Sequence, residues 1–128
     1  MDAAYVFTVT FELDPTTAAD GGGAPRLDPD RFETTVEVPA AAPGTSGWLL
    51  FRDRLWRGEV GDEASMRRFL GERLGVEVVA VSFRELRTDE AYRDALRTAI
   101  AEDLTAFNAA NVDEVVHKYL GSSVHVRD

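Results

Sequence analysis

The sequence predicts an α+β fold: a two-layer sandwich whose mixed four-stranded sheet carries helices on one face, in the order ββααβααβ. Three observations predict it. Two segments near the start alternate with a period of two, a later strand is apolar on both faces, and the remaining apolar stripes recur at helical spacing between capping residues.

Ala4 to Leu13 alternates cleanly, with Tyr5, Phe7, Val9, Phe11 and Leu13 on one face and Val6, Thr8, Thr10 and Glu12 on the other. That is the pattern of a half-buried strand. Residues 14–30 hold Pro15, Gly21, Gly22, Gly23, Pro25 and Pro29 among small polar residues, which predicts a flexible loop. The glycines run on toward Pro25 and a second strand. A phosphate cradle needs a helix N-terminus at that point, so none is expected. Arg31 to Pro39 alternates again, Phe32, Thr34, Val36 and Val38 against Arg31, Glu33, Thr35 and Glu37, and is expected to pair antiparallel with the first strand. A connector of small residues follows, in which Thr45 or Ser46 can cap a helix.

Asp62 is placed to cap a helix carrying Met66, Phe69, Leu70 and Leu74 on one side, and Gly75 to end it. Val76 to Phe83 is apolar on both faces and belongs in the middle of the sheet. Thr88 is expected to cap the longest helix, with Asp89 and Glu90 in its first turn and one stripe from Tyr92 through Leu96 and Ile100 to Phe107. Asn111 and Glu114 open a short helix whose Val115, Val116, Tyr119 and Leu120 face inward, and Gly121 closes it. Ser122 to Arg127 alternates as a final strand. The sheet face away from the helices then shows Thr8, Thr10, Glu12, Glu33, Thr35, Glu37, His125 and Arg127, a surface that either water or a partner can cover. The 128 residues are expected to form one domain.

Composition narrows the function classes. One lysine, Lys118, stands against thirteen arginines and 23 carboxylates, the formal net charge is −9, and there is no cysteine. Acids spread along the chain suit concentrated salt, where the Debye length falls to about 3 Å and like-charge repulsion is screened. The net negative charge speaks against a nucleic-acid partner. No apolar run approaches the length of a membrane span, and Met1 to Phe11 lacks the basic flank and apolar stretch of a secretory signal, so a cytoplasmic location is expected. Absence of cysteine excludes disulfides, thiolate metal sites and a cysteine nucleophile. His117 and His125 lack metal-ligand spacing, and Ser122 and Ser123 near His125 lack the third group of a triad. No metal, cofactor or catalytic residue is assigned.

Trp48 to Gly58 is the densest stretch, holding both tryptophans together with Arg52, Arg54 and Arg57. Wound as a helix, it puts Trp48, Leu49, Phe51, Leu55 and Trp56 on one broad face with Arg52 in their midst. The strand alternative stays open. On the helical face Arg52 must snorkel, pair with an acid such as Glu85 or Asp62, or meet an anionic ligand, because an unpaired buried charge costs several kcal/mol. One reading makes Trp48, Phe51, Leu55 and Trp56 core. The other makes Arg52, Arg54, Trp56 and Arg57, with help from Arg67 and Arg68, a site where forked donors grip a phosphate or carboxylate.

Leu55-Trp56-Arg57, within the block GWLLFRDRLWRGEVGDE and followed by FRELRTDEAY and KYLGSSVHV, resembles the LWR-salt proteins of salt-loving archaea. The likeness spans nearly the whole chain. It implies a host and a salty interior and supplies no substrate, cofactor or catalytic residue. Two functions are therefore expected to compete. The first is a non-enzymatic module that binds a second copy or another protein through the polar sheet face or the Trp48 block. The second is a small-anion binding protein or enzyme using Arg52, Arg54, Trp56 and Arg57.

Overall fold

A computed structural model describes residues 1–13 and 31–127; the loop expected at 14–30 lies outside the described residues. The sheet order is β2-β1-β5-β6, built from β1 (Ala3–Glu12), β2 (Arg31–Pro39), β5 (Glu77–Thr88) and β6 (Val124–Val126). β1 pairs antiparallel with both β2 and β5, while β6 runs parallel to β5, so the sheet is mixed as expected. Among the described residues four helices accompany it: α1 (Leu50–Arg54), α2 (Glu63–Leu74), α3 (Glu90–Ala101) and α4 (Val112–Leu120). The expected order ββααβααβ is present, with a two-stranded hairpin of β3 (Leu55–Trp56) and β4 (Glu59–Val60) added between α1 and α2.

Tyr5, Phe7 and Val9 of β1, Val81, Phe83 and Leu86 of β5 and Val38 of β2 form one buried cluster with Phe51, Met66, Leu70, Leu96, Ile100, Val115 and Leu120 of the helices. Thr34 and Glu37 of β2 stay exposed, as an outer strand allows, and Leu74 is exposed at the end of α2. Asp62 caps α2 by accepting from the Ser65 N–H, and Gly75 ends it at φ 71°. Asn111 caps α4 by accepting from the Glu114 N–H, while Glu114 Oε2 reaches back to the Ala110 N–H.

Three expectations are corrected. β5 runs five residues beyond Phe83, because its pairing with β1 slips at two places, where Val79 and Arg84 have no partner opposite them. The bulge at Arg84 shifts the inward phase from Phe83 to Leu86, which hides the strand from a strict period of two. Thr88 is consequently the last, buried residue of β5, and Asp89 is the cap of α3, accepting from the Tyr92 N–H at 2.7 Å. α3 also stops at Ala101 rather than Phe107. Asp103 leaves helical geometry at φ −142°, and a 3₁₀ turn over Leu104–Phe107 re-aims Phe107 to stack on Phe51, with ring centroids 5.9 Å apart.

Asp89 also ties down the chain start, accepting from the Asp2 N–H at 2.7 Å; these N–H donors hold its carboxyl below the usual carboxylate range. Stability from a depressed carboxyl is present above the unfolded value near pH 4 and is lost as pH falls through the folded one. Tyr92 behaves oppositely: burial pushes its phenol up to about 12, and its hydroxyl donates to the Ala41 C=O at 2.7 Å. Its contribution is complete below about pH 10 and fades as pH rises through the folded value. Tyr92→Phe is expected to cost about 1 kcal/mol at neutral pH. Its denaturation midpoint should also fall less steeply than the wild type's between pH 10 and 12, which a chemical-denaturation series at alkaline pH checks.

Candidate functional site

The Trp48 to Gly58 block is both helix and strand. α1 ends at Arg54, Leu55 turns extended at φ −121°, and β3 and β4 pair through Leu55 with Val60 and Trp56 with Glu59. The loop between them is Arg57 and Gly58, at φ 52° and 80°. Two successive positive-φ residues make the loop whose twist matches a two-residue hairpin, and Gly58 occupies the second place at no steric cost. The single broad apolar face expected of one helix is therefore broken after Arg54.

This hairpin tip sits on the C-terminal end of α4. A helix leaves its last four carbonyls without partners, and here each of the four finds one. Gly121 N–H takes His117 C=O at 3.1 Å, Arg57 N–H takes Lys118 C=O at 2.9 Å, Gly58 N–H takes Tyr119 C=O at 3.0 Å and Ser123 N–H takes Leu120 C=O at 3.1 Å. The approach is close enough to require two glycines. A Cβ on Gly58 would stand 3.0 Å from the Leu120 oxygen, and one on Gly121 3.1 Å from the Arg57 oxygen. Leu55 is buried beneath the tip at 3% exposure, whereas Trp56 is 47% exposed and meets the Tyr119 ring edge-on with centroids 5.9 Å apart. Trp48, Phe51, Phe107 and Tyr119 continue that contact inward as a chain of stacked and edge-on rings. Trp48, Phe51 and Leu55 thus join the core as expected, and Trp56 does not.

The three arginines do not converge. Arg52 is one-third exposed and donates to its neighbour Asp53 at 3.1 Å; its anticipated partners lie elsewhere, Asp62 capping α2 and Glu85 meeting Arg127. The break in the helix removes Arg52 from the apolar face, so its charge needs no buried partner. Arg54 points the other way, donating Nη1–H to Ser65 Oγ at 2.6 Å with its guanidinium 5.1 Å from the Phe69 ring centre. Arg73 covers the same ring at 5.4 Å. Arg57 lies over the Trp56 ring at 5.7 Å. Arg67 and Arg68 line a separate open cleft of about 710 Å³ with Glu12, Glu72 and Glu77.

Other polar groups gather on the open face of the sheet. Arg87 pairs with Glu37 across β1, and Glu85 accepts from Arg127 at 3.3 Å with His125 Nδ1 3.6 Å away. No group of three acidic or histidine side chains that could hold a metal ion occurs among the described residues, and none of their helices is long and apolar enough to cross a membrane. Sequence reasoning missed Lys118, Tyr119 and Gly121 as the seat of the hairpin. A signal existed: Leu-Trp-Arg-Gly-Glu-Val flanks a glycine-containing pair with strand formers, as hairpins do.

An open-sheet α+β domain whose most distinctive sequence block locks a hairpin onto a helix end is a structurally defined class, with the block's backbone carrying the contact. The chain belongs to the LWR-salt protein family, whose model matches residues 1–128. Comparison with curated proteins and comparison with solved structures each give no match.

Leu55-Trp56-Arg57 then divides by role: Leu55 fills the core, Trp56 covers Tyr119, and Arg57 supplies a backbone turn. Gly58→Ala is expected to destabilise by about 2 kcal/mol or more, since the φ is unfavourable and the added methyl meets a carbonyl. Arg57→Gly should be neutral or stabilising by up to about 1 kcal/mol, because the turn needs a left-handed residue and not a guanidinium. Urea midpoints of the two variants check both; a large loss from Arg57→Gly would show that the side chain matters.

Proposed function

We propose that the protein is a salt-adapted, non-enzymatic cytoplasmic domain that works by associating with a second copy or with another protein. The observation that carries this reading is the open sheet. Its helices occupy one face, and among the described residues no strand pairs with the outer edge of β2. A nine-residue strand with an outer edge that is unpaired among the described residues is a template for another strand. The half-exposed Trp56, framed by Arg57 and Tyr119, adds a second surface of the kind enriched at protein contacts.

The alternative is a small-anion binding protein or enzyme in which Arg52, Arg54, Trp56 and Arg57 hold a phosphate or carboxylate. It has less support, because each guanidinium is engaged separately, with Asp53, with Ser65 and Phe69, and with the Trp56 ring.

Light scattering in molar KCl over a range of protein concentrations is expected to show a dimer, or a co-purifying partner in a pull-down from a salt-matched extract. A clean monomer with no partner would remove the reading, and stabilisation by inorganic phosphate that Arg54→Ala abolishes would favour the alternative. The salt adaptation makes its own prediction. Thermal midpoints should climb as KCl rises from dilute buffer to about 2 M, as repulsion among 23 carboxylates is screened. Equal midpoints across the series would overturn it.

A further inference from the structure

The edge of β2 carries a self-complementary pattern, and we propose that two copies of the chain pair antiparallel through β2, in the register that sets Thr34 against its own counterpart. The inference rests on the self-association reading and adds the surface, the partner and the register.

The phase of the ladder comes from the backbone. Ala40 N–H donates to Ala3 C=O at 3.0 Å, and the register pairs Tyr5 with Val38, Phe7 with Val36 and Val9 with Thr34. In an antiparallel pair, hydrogen-bonded and open positions alternate. Val38, Val36, Thr34 and Phe32 therefore spend their backbone groups on β1, and Arg31, Glu33, Thr35, Glu37 and Pro39 turn theirs outward. Pro39 fits this phase, since it has no N–H to offer and edge strands are where proline is tolerated.

A two-fold axis perpendicular to the sheet keeps each face on its own side, so opposed residues must come from the same face. Two centred registers make use of the middle of the strand. Centring on Thr35 sets Glu33 against Glu37 of the other copy, two like-charge contacts, and leaves Pro39 without a donor opposite Arg31. Centring on Thr34 sets Arg31 against Glu37, Glu33 against Thr35, and Phe32 against Val36, and each of these occurs twice. Opposite-charge and apolar cross-strand pairs stabilise, and directly opposed like charges do the reverse. The Thr34 register is the one the side chains select. It joins two four-stranded sheets into one and shields the Phe32 ring, already stacked on Phe11 at 5.7 Å.

The chain has no cysteine, so a single introduced one reports cleanly. Thr34 is exposed and would face its counterpart in an open pair, where Cα atoms are about 4.5 Å apart, within disulfide reach. Mild oxidation of full-length Thr34→Cys in molar KCl is expected to give a covalent dimer, and Thr35→Cys far less of one. Independently, Glu37→Arg should weaken dimerisation by about tenfold or more by light scattering, and Arg31→Glu added to it should restore the dimer. A dimer that crosslinks through Thr35→Cys instead, or one indifferent to both the cysteine and the charge variants, overturns the β2 interface while leaving self-association intact. A wild-type monomer at every salt and protein concentration overturns both.

Discussion

The seating of the Arg57–Gly58 tip on the end of α4 is the contact on which the rest of the structure depends. It satisfies two carbonyls of α4 that would otherwise be stranded at a partly buried helix end, and it does so with backbone groups, so the contact asks for glycine at 58 and 121 and for no particular functional side chain. The same contact fixes three segments at once. It anchors the hairpin that links α1 to α2, it sets the depth at which Leu55 enters the core, and it places Gly121 so that the chain can turn back into β6. β6 then pairs with the far end of β5, where Leu86 N–H donates to Ser123 C=O and Arg127 N–H donates to Thr88 C=O. A parallel edge strand of three residues contributes little by itself. It is held because both of its ends are already positioned.

Arginine density is a poor guide to function in such a chain. With one lysine present, almost every cationic task falls to arginine. Arg54 flattens against Phe69 and hydrogen-bonds Ser65, which joins α1 to the first turn of α2. Arg73 closes the other contact with the same ring. A weakly hydrated, planar guanidinium suits this packing role as well as it suits a ligand. The motif that draws the eye in the sequence is, residue by residue, a core plug, a ring cover and a turn.

Much of the fold was legible because its cues are local. The alternation of β1 and β2, the caps at Asp62 and Asn111 and the terminal glycines at Gly75 and Gly121 act within a few residues, and each stands where the sequence places it. What was not legible depends on partners far along the chain. The extension of β5 follows from a bulge at Arg84 that only its pairing with β1 reveals. The break between α1 and β3 follows from a seat on α4 some sixty residues away, a contact no periodicity can announce. The candidate site fared likewise: its residues share one stretch of sequence, but their separate engagements are tertiary facts. Of the two readings left open for Trp56, the core one fails, because its position beside Arg57 at the hairpin tip leaves it half in water.

Charge on the sheet edge connects architecture to environment. An exposed strand is normally guarded by charged residues, and β2 carries Glu33 and Glu37 at outward positions for that purpose. In dilute solution their repulsion reaches about 10 Å and opposes any approach of a second copy, whereas in molar salt it decays within about 3 Å. Contact pairs of opposite sign are weakened less, because ions cannot enter between touching groups. In the proposed β2 pairing, salt would lift the long-range guard and leave the short-range register code, Arg31 against Glu37, to choose the alignment. Under the proposed pairing, the same screening that is expected to favour the folded acidic chain would also decide whether its open edge stays single.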